Sequence, residues 1–147
     1  MFILSVFTIL LFFSCTFPRV IVLEDPLSPK EHINLGVAYE KKGDLDSAIK
    51  EYNLAAEKLP LAYLYLGTAY FKKNEIDKAE KYFKKSISKT PDNADSYNNL
   101  AWLYYAKKKN IIEAESLVLK AIELNPSKKD IYNDTLKKIR ELKKSAM

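Results

Sequence analysis

From residue 29 onward, apolar side chains recur at the three- and four-residue spacing of helices that bury one face. Leu35, Ala38 and Tyr39 share a face, and Ala48, Tyr52 and Ala55 share another on the segment that follows. Polar punctuation falls between such segments. Ser28-Pro29-x-Glu31 reads as an N-cap, a proline at the first helical position and a capping-box acid. Gly43 stops the first helix just before Asp44 caps the second. Asn74 with Asp77, Asn110 with Glu113 and Ser127 with Asp130 repeat the start signal. The pattern predicts helices over 29–42, 45–58, 61–73, 75–89, 93–107, 111–124 and 128–144.

The helices come in pairs, and the pairs repeat. The first copy is His32-x-x-Leu35-Gly36-x-x-Tyr39, then Ala48-x-x-x-Tyr52, then Pro60. The second is Tyr63-x-x-Leu66-Gly67-x-x-Tyr70, then Ala79-x-x-x-Phe83, then Pro91. The third is Tyr97-x-x-Leu100-Ala101-x-x-Tyr104, then Ala114-x-x-x-Val118, then Pro126. Leu35 and Leu66 are 31 residues apart, and Leu66 and Leu100 are 34 apart. The small residues at 36, 67 and 101 stand where a larger side chain would hold two crossing helices apart, and Ala48, Ala79 and Ala114 do the same on the partner helix. The tyrosines at 39, 70 and 104 are expected to fill the wedge between neighbouring hairpins.

These residues resemble the signature of the tetratricopeptide repeat (TPR), whose period is about 34 residues. The resemblance runs from about Ser28 to Pro126. It implies an all-α, right-handed α-solenoid of three hairpins, over 29–60, 61–91 and 92–126, closed by a capping helix and tail over 127–147. The first unit lacks three residues in its exit turn and the third has one extra near Lys107 to Asn110. His32 and Val118 stand where the family favours large aromatics. The last helix has one apolar stripe of Ile131, Leu136, Ile139 and Leu142 and is otherwise rich in lysine, as the wet end of a solenoid requires.

Composition agrees with helices. Hydrophobic residues make up 48% and charged ones 29%, and the chain holds only three glycines. The formal charge is +5, but of the 24 basic residues only Arg19 and Arg140 are arginines. Nucleic-acid recognition leans on the guanidinium fork, so it is not expected here. The single cysteine, Cys15, and the single histidine, His32, cannot build a tetrahedral zinc site, and no cofactor is expected.

Residues 1–13 carry no charge and are apolar except for Ser5 and Thr8, like the core of a secretory signal. The run ends in Phe12-Phe13-Ser14-Cys15. A small residue directly before a cysteine, just after an apolar run, resembles the cleavage site of bacterial lipoproteins. That resemblance implies a signal peptide over 1–14, a lipid on Cys15 and a place in the bacterial cell envelope. An uncleaved anchor reaching Leu23 and a buried, inert cysteine are the other readings. Prolines at 18, 26 and 29 mark 15–28 as a tether.

A solenoid of hairpins curves, with its first helices on the concave side. The groove is expected to be lined by Asn34, Val37 and Lys41, by Tyr65, Thr68 and Lys72, and by Asn99, Trp102 and Tyr105. Tyr and Trp are common binding hot spots, and an asparagine amide can bond a peptide backbone through both its atoms. Trp102 is the first candidate contact, with packing on the closing helix as its alternative role. Some members of the family grip a terminal carboxylate with Lys, Arg and Asn at set groove positions. Here those places hold Ile33, Asp95 and Val37, which implies an internal peptide or a helix as partner instead.

Catalytic constellations are missing from the sequence. There is no Gly-rich phosphate loop and no serine with a nearby histidine, and His32 sits in a packing position. Asp44 with Asp46, and Asp92 with Asp95, are assigned to helix starts. The expected function is a non-catalytic, membrane-tethered adaptor for a protein partner. A self-associating scaffold and an accessory subunit of an envelope enzyme are the alternatives.

Overall fold

A computed structural model describes residues 25–145, so the expectations for the signal, for Cys15 and for most of the tether lie outside the described residues. The architecture is an all-α solenoid. Its helices are α1 (Pro29–Lys41), α2 (Leu45–Ala56), α3 (Ala62–Lys72), α4 (Ile76–Lys89), α5 (Ala94–Ala106), α6 (Ile111–Leu124) and α7 (Lys129–Ser145). A single 3-10 turn, Pro126–Lys128, precedes α7. Helices pair as α1–α2, α3–α4 and α5–α6, and α7 closes the stack against α5 and α6. Among the described residues no helix is long and apolar enough to cross a membrane.

The helix starts and stops follow local chemistry, with three corrections. The Ser28 capping box forms as expected: its hydroxyl accepts from the Glu31 amide at 3.3 Å and Glu31 accepts from the Ser28 amide at 2.7 Å. Asp44 caps α2 by accepting from the Ser47 amide at 3.0 Å. Asn74, however, ends α3 rather than starting α4. Its φ of 61° matches the left-handed turn of Gly43, at 83°. The amide after each of these residues bonds the carbonyl of Tyr39 or Tyr70 in the same six-to-one closure. Lys108, at φ 51°, is the third such residue, and the extra residue of that turn is absorbed by Asn110, left-handed as well at φ 48°. Asn110 therefore points no cap at α6. Ser127 is taken up by the 3-10 turn and donates to the Asn125 side chain instead.

Packing is decided by the paired small and large positions. A Cβ at Gly36 would overlap the ring of Tyr52, and one at Gly67 the ring of Phe83. In the third unit both halves change together. Ala101 replaces the glycine, Val118 replaces the ring, and both are fully buried in one cluster. Ala48, Ala79 and Ala114 are also fully buried. Tyr104 is completely enclosed, while Tyr39 and Tyr70 are only partly covered.

Two apolar expectations fail for reasons of position in the stack. Ala38 is exposed although its equivalents Ala69 and Leu103 are fully buried. That site faces the preceding hairpin, and α1 belongs to the first hairpin described. On α7, Ile131 is 62% exposed. The buried stripe is Tyr132, Thr135, Leu136 and Ile139, and Ile131, five residues before Leu136, lies about 140° around the helix from it.

Candidate functional site

The concave side is built by α1, α3 and α5, whose register is fixed by the close approaches above. It holds two adjoining depressions. One, of about 340 Å³, is lined by Val37 and Glu40 of α1, Leu64, Tyr65 and Thr68 of α3, and Asp95 and Asn99 of α5. The other, of about 190 Å³, is lined by Thr68 and Phe71 of α3, Phe83 of α4, and Asn99 and Trp102 of α5. Thr68 and Asn99 belong to both, so the two form one trough across the three helices.

Of the residues expected in the groove, Val37, Tyr65, Thr68, Asn99 and Trp102 line it. Asn34 and Lys41 are exposed and line neither depression. Lys72 stands at the rim, its ammonium on Glu40. Tyr105 lies against Trp102 with ring centroids 5.2 Å apart. Trp102 lines the smaller depression and also meets the closing helix, where Lys138 sits 4.7 Å from its ring centroid. The floor follows the i, i+3 rows Val37–Glu40 and Thr68–Phe71, which places Glu40 and Phe71 in the lining instead of Lys41 and Lys72.

Glu40, Leu64, Phe71 and Phe83 are lining residues that the sequence reading missed, and Asp95, named there only at a clamp position and a helix start, lines the trough too. For Phe71 and Leu64 a signal existed: α3 is apolar nearly all round, so its groove face had to carry apolar side chains too. Asp95 stands in the first turn of α5, as its assignment to a helix start expects, while the cap is Asn93, which accepts from the Ser96 amide at 3.2 Å. The Asp95 carboxylate is engaged elsewhere. It accepts from the Tyr132 hydroxyl at 2.7 Å and from Lys128 at 2.7 Å.

This arrangement recurs along the stack. Tyr52 donates to Glu40 at 2.8 Å while Lys72 holds the other carboxylate oxygen. Tyr104 donates to Glu80 at 2.9 Å, and Lys109 holds its other oxygen. Burial, and then the neighbouring carboxylate, push the hydroxyls of Tyr52, Tyr104 and Tyr132 above the usual tyrosine range. Burial alone would raise the Glu80 carboxyl. Hydrogen bonds from Lys109, Lys84 and Tyr104 outweigh it and hold the group at about 2.

His32 is buried, with Nδ1 2.7 Å from Glu51 and Nε2 3.2 Å from Asp25. Each ring nitrogen faces a carboxylate, and the Glu51 contact ties α1 to α2. Among the described residues no three His, Cys, Asp or Glu groups converge as a metal site would need.

Comparison with known proteins agrees with this fold. Family models described as "Tetratricopeptide repeat" match residues 29–62, 60–93 and 82–116. The first TPR domain of human RPAP3, solved by NMR, is 22% identical with a TM-score of 0.73, over 82% of this chain and 96% of that one. The Sgt2 TPR domain from Aspergillus fumigatus is 16% identical with a TM-score of 0.74, over 80% of each chain. The first TPR of Spaghetti (RPAP3), bound to the HSP90 peptide SRMEEVD, is 20% identical with a TM-score of 0.71, over 78% of this chain and 94% of that one. At these identities the likeness is one of fold. A comparison with curated proteins gave no match.

Proposed function

We propose, because this chain belongs to the tetratricopeptide repeat family, that it is a non-catalytic protein-binding module whose α1–α3–α5 trough holds an internal peptide or a helix of a partner. One observation carries the reading. The two depressions meet at Asn99, which lines both and leaves its side chain half exposed to the trough. A peptide backbone crossing the trough would find there a donor and an acceptor flanked by aromatic surface. Water is the competitor, and the half-buried rings of Tyr65 and Trp102 exclude part of it.

The N-terminal segment completes the proposal. An apolar run ending at Ser14-Cys15 would carry the solenoid at a membrane of the bacterial envelope, with the partner an envelope protein. The resemblance to lipoprotein signals supports this part.

The test places a photo-activated crosslinker at position 99 and, as control, at Lys81 on the outer face of α4, in cells. One partner caught from position 99 and not from position 81 supports the groove. Equal capture from both overturns it. Labelling with a radioactive fatty acid, lost on Cys15→Ala, supports the lipid anchor, and label that persists in that variant rejects it. A body whose mass rises with concentration in sedimentation would favour the scaffold reading instead.

A further inference from the structure

We infer that the trough selects a cationic–apolar segment, with one bulky apolar side chain in the smaller depression and an arginine or lysine at Glu40 and Asp95 in the larger. This deepens the proposed function and rests on the trough being the docking surface.

The argument begins with charge. The residues lining the two depressions include two carboxylates, Glu40 and Asp95, while the cations that border them, Lys72, Lys128 and Lys138 over the Trp102 ring, stand outside the lining. Each carboxylate is fixed from behind by a buried tyrosine, Tyr52 on Glu40 and Tyr132 on Asp95. That hydrogen bond orients the group, and each of its oxygens has a second acceptor site to offer. The lysines already on them, Lys72 and Lys128, are side chains 51% and 43% exposed. They hold by a flexible, solvated stem and can give way to a donor that arrives pre-oriented. A guanidinium, with its planar fork, is the better fit of the two cations. An acidic peptide would instead set its own carboxylates against fixed ones, at a cost that specificity requires.

The apolar half follows from the smaller depression. Its walls are Phe71, Phe83 and Trp102, and Phe83 is 2% exposed, so it forms a floor rather than a movable flap. About 190 Å³ of space accommodates one large aliphatic or aromatic side chain. Asn99, shared by both depressions, fixes the backbone between the two anchors.

The experiment is selection of random peptides displayed on phage against the full chain in detergent, followed by anisotropy titration of the enriched peptides. Enrichment of a large apolar residue near an arginine or lysine is expected. Replacing that cation by glutamate should weaken binding roughly tenfold or more, and raising salt should weaken it as well. The Glu40→Gln, Asp95→Asn double variant keeps hydrogen-bond acceptors for both tyrosines. It should lose the preference for the cation and keep the demand for the apolar residue, with its folding checked by circular dichroism. Enriched peptides that are acidic or uncharged, yet lose affinity with Trp102→Ala, would overturn the inference and leave the groove standing. Peptides indifferent to Trp102→Ala and Asn99→Ala, or no enrichment at all, would bring down both.

Discussion

Gly67 lies so close to the ring of Phe83 that a single added methyl would overlap it. Phe83 is 2% exposed, so its ring can shift only by repacking its neighbours. Gly67→Ala should therefore cost about 1–3 kcal/mol through overpacking, against about 1 kcal/mol regained from helix propensity. The net loss is expected as a lower urea midpoint. Adding Phe83→Val recreates the Ala101–Val118 combination of the third unit. The double variant should be more stable than the sum of its single changes by roughly 0.5–3 kcal/mol. Strict additivity would show that the two positions do not share one space.

Glu80 gives a pH dependence with a defined sign. Its folded value of about 2 lies below the ordinary 4.5, so its contribution is complete above about pH 4.5 and is lost as pH falls toward 2. Lys84 and Lys109 are exposed enough for solvent to screen them, which brings the contribution to about 1–3 kcal/mol. In Glu80→Gln the acid limb of a thermal-melt profile should flatten and the neutral-pH melting point should fall. An unchanged acid limb would assign acid sensitivity to other carboxylates.

Lys108 holds a left-handed conformation, φ 51°, at the place where the first hairpin has Gly43. Lys108→Gly removes the Cβ strain and should raise stability by about 1 kcal/mol, while Gly43→Ala should lower it by a similar amount. Denaturant titration of the two variants should give shifts of opposite sign.

On the closing helix, Ile139 is fully buried and Ile131 is 62% exposed. Ile139→Ala is expected to cost about 2–5 kcal/mol and to uncover the apolar face of α5 and α6, increasing binding of a hydrophobic dye. Ile131→Ser should change stability by less than about 0.5 kcal/mol. Equal effects would mean that α7 sits on the solenoid in another rotation.

In the trough, Asn99→Ala and Trp102→Ala should each weaken partner binding by about tenfold, whereas Asn34→Ala and Lys41→Ala should leave it within about twofold. Affinity measured on the captured partner decides this. A stronger loss at Lys41 than at Asn99 would move the contact surface out of the depressions.

The repeat made the solenoid legible before any coordinates. Leu66, Gly67, Ala79 and Phe83 have counterparts 31 residues before and 34 or 35 residues after them, and Gly67 with Phe83 marks a contact between paired helices. Local chemistry was read well where one side chain acts within its own turn, as Ser28 and Asp44 do. It was misread at Asn74 and Asn110, since an asparagine suits a cap and a left-handed turn equally and only the surrounding backbone chooses between them.

Sequence by itself determined the number of hairpins and the identity of the small residues at the crossings. These depend on spacing along one chain and on side-chain size. Tertiary structure alone decided that Asp95 belongs to Tyr132 and Lys128, that Glu40 belongs to Tyr52 and Lys72, and that Phe71 replaces Lys72 in the lining. Those partners lie on other helices, at separations of 12 to 37 residues. Which of several nearby carboxylates a buried hydroxyl meets depends on the angle at which the helices cross, and no local pattern encodes that angle.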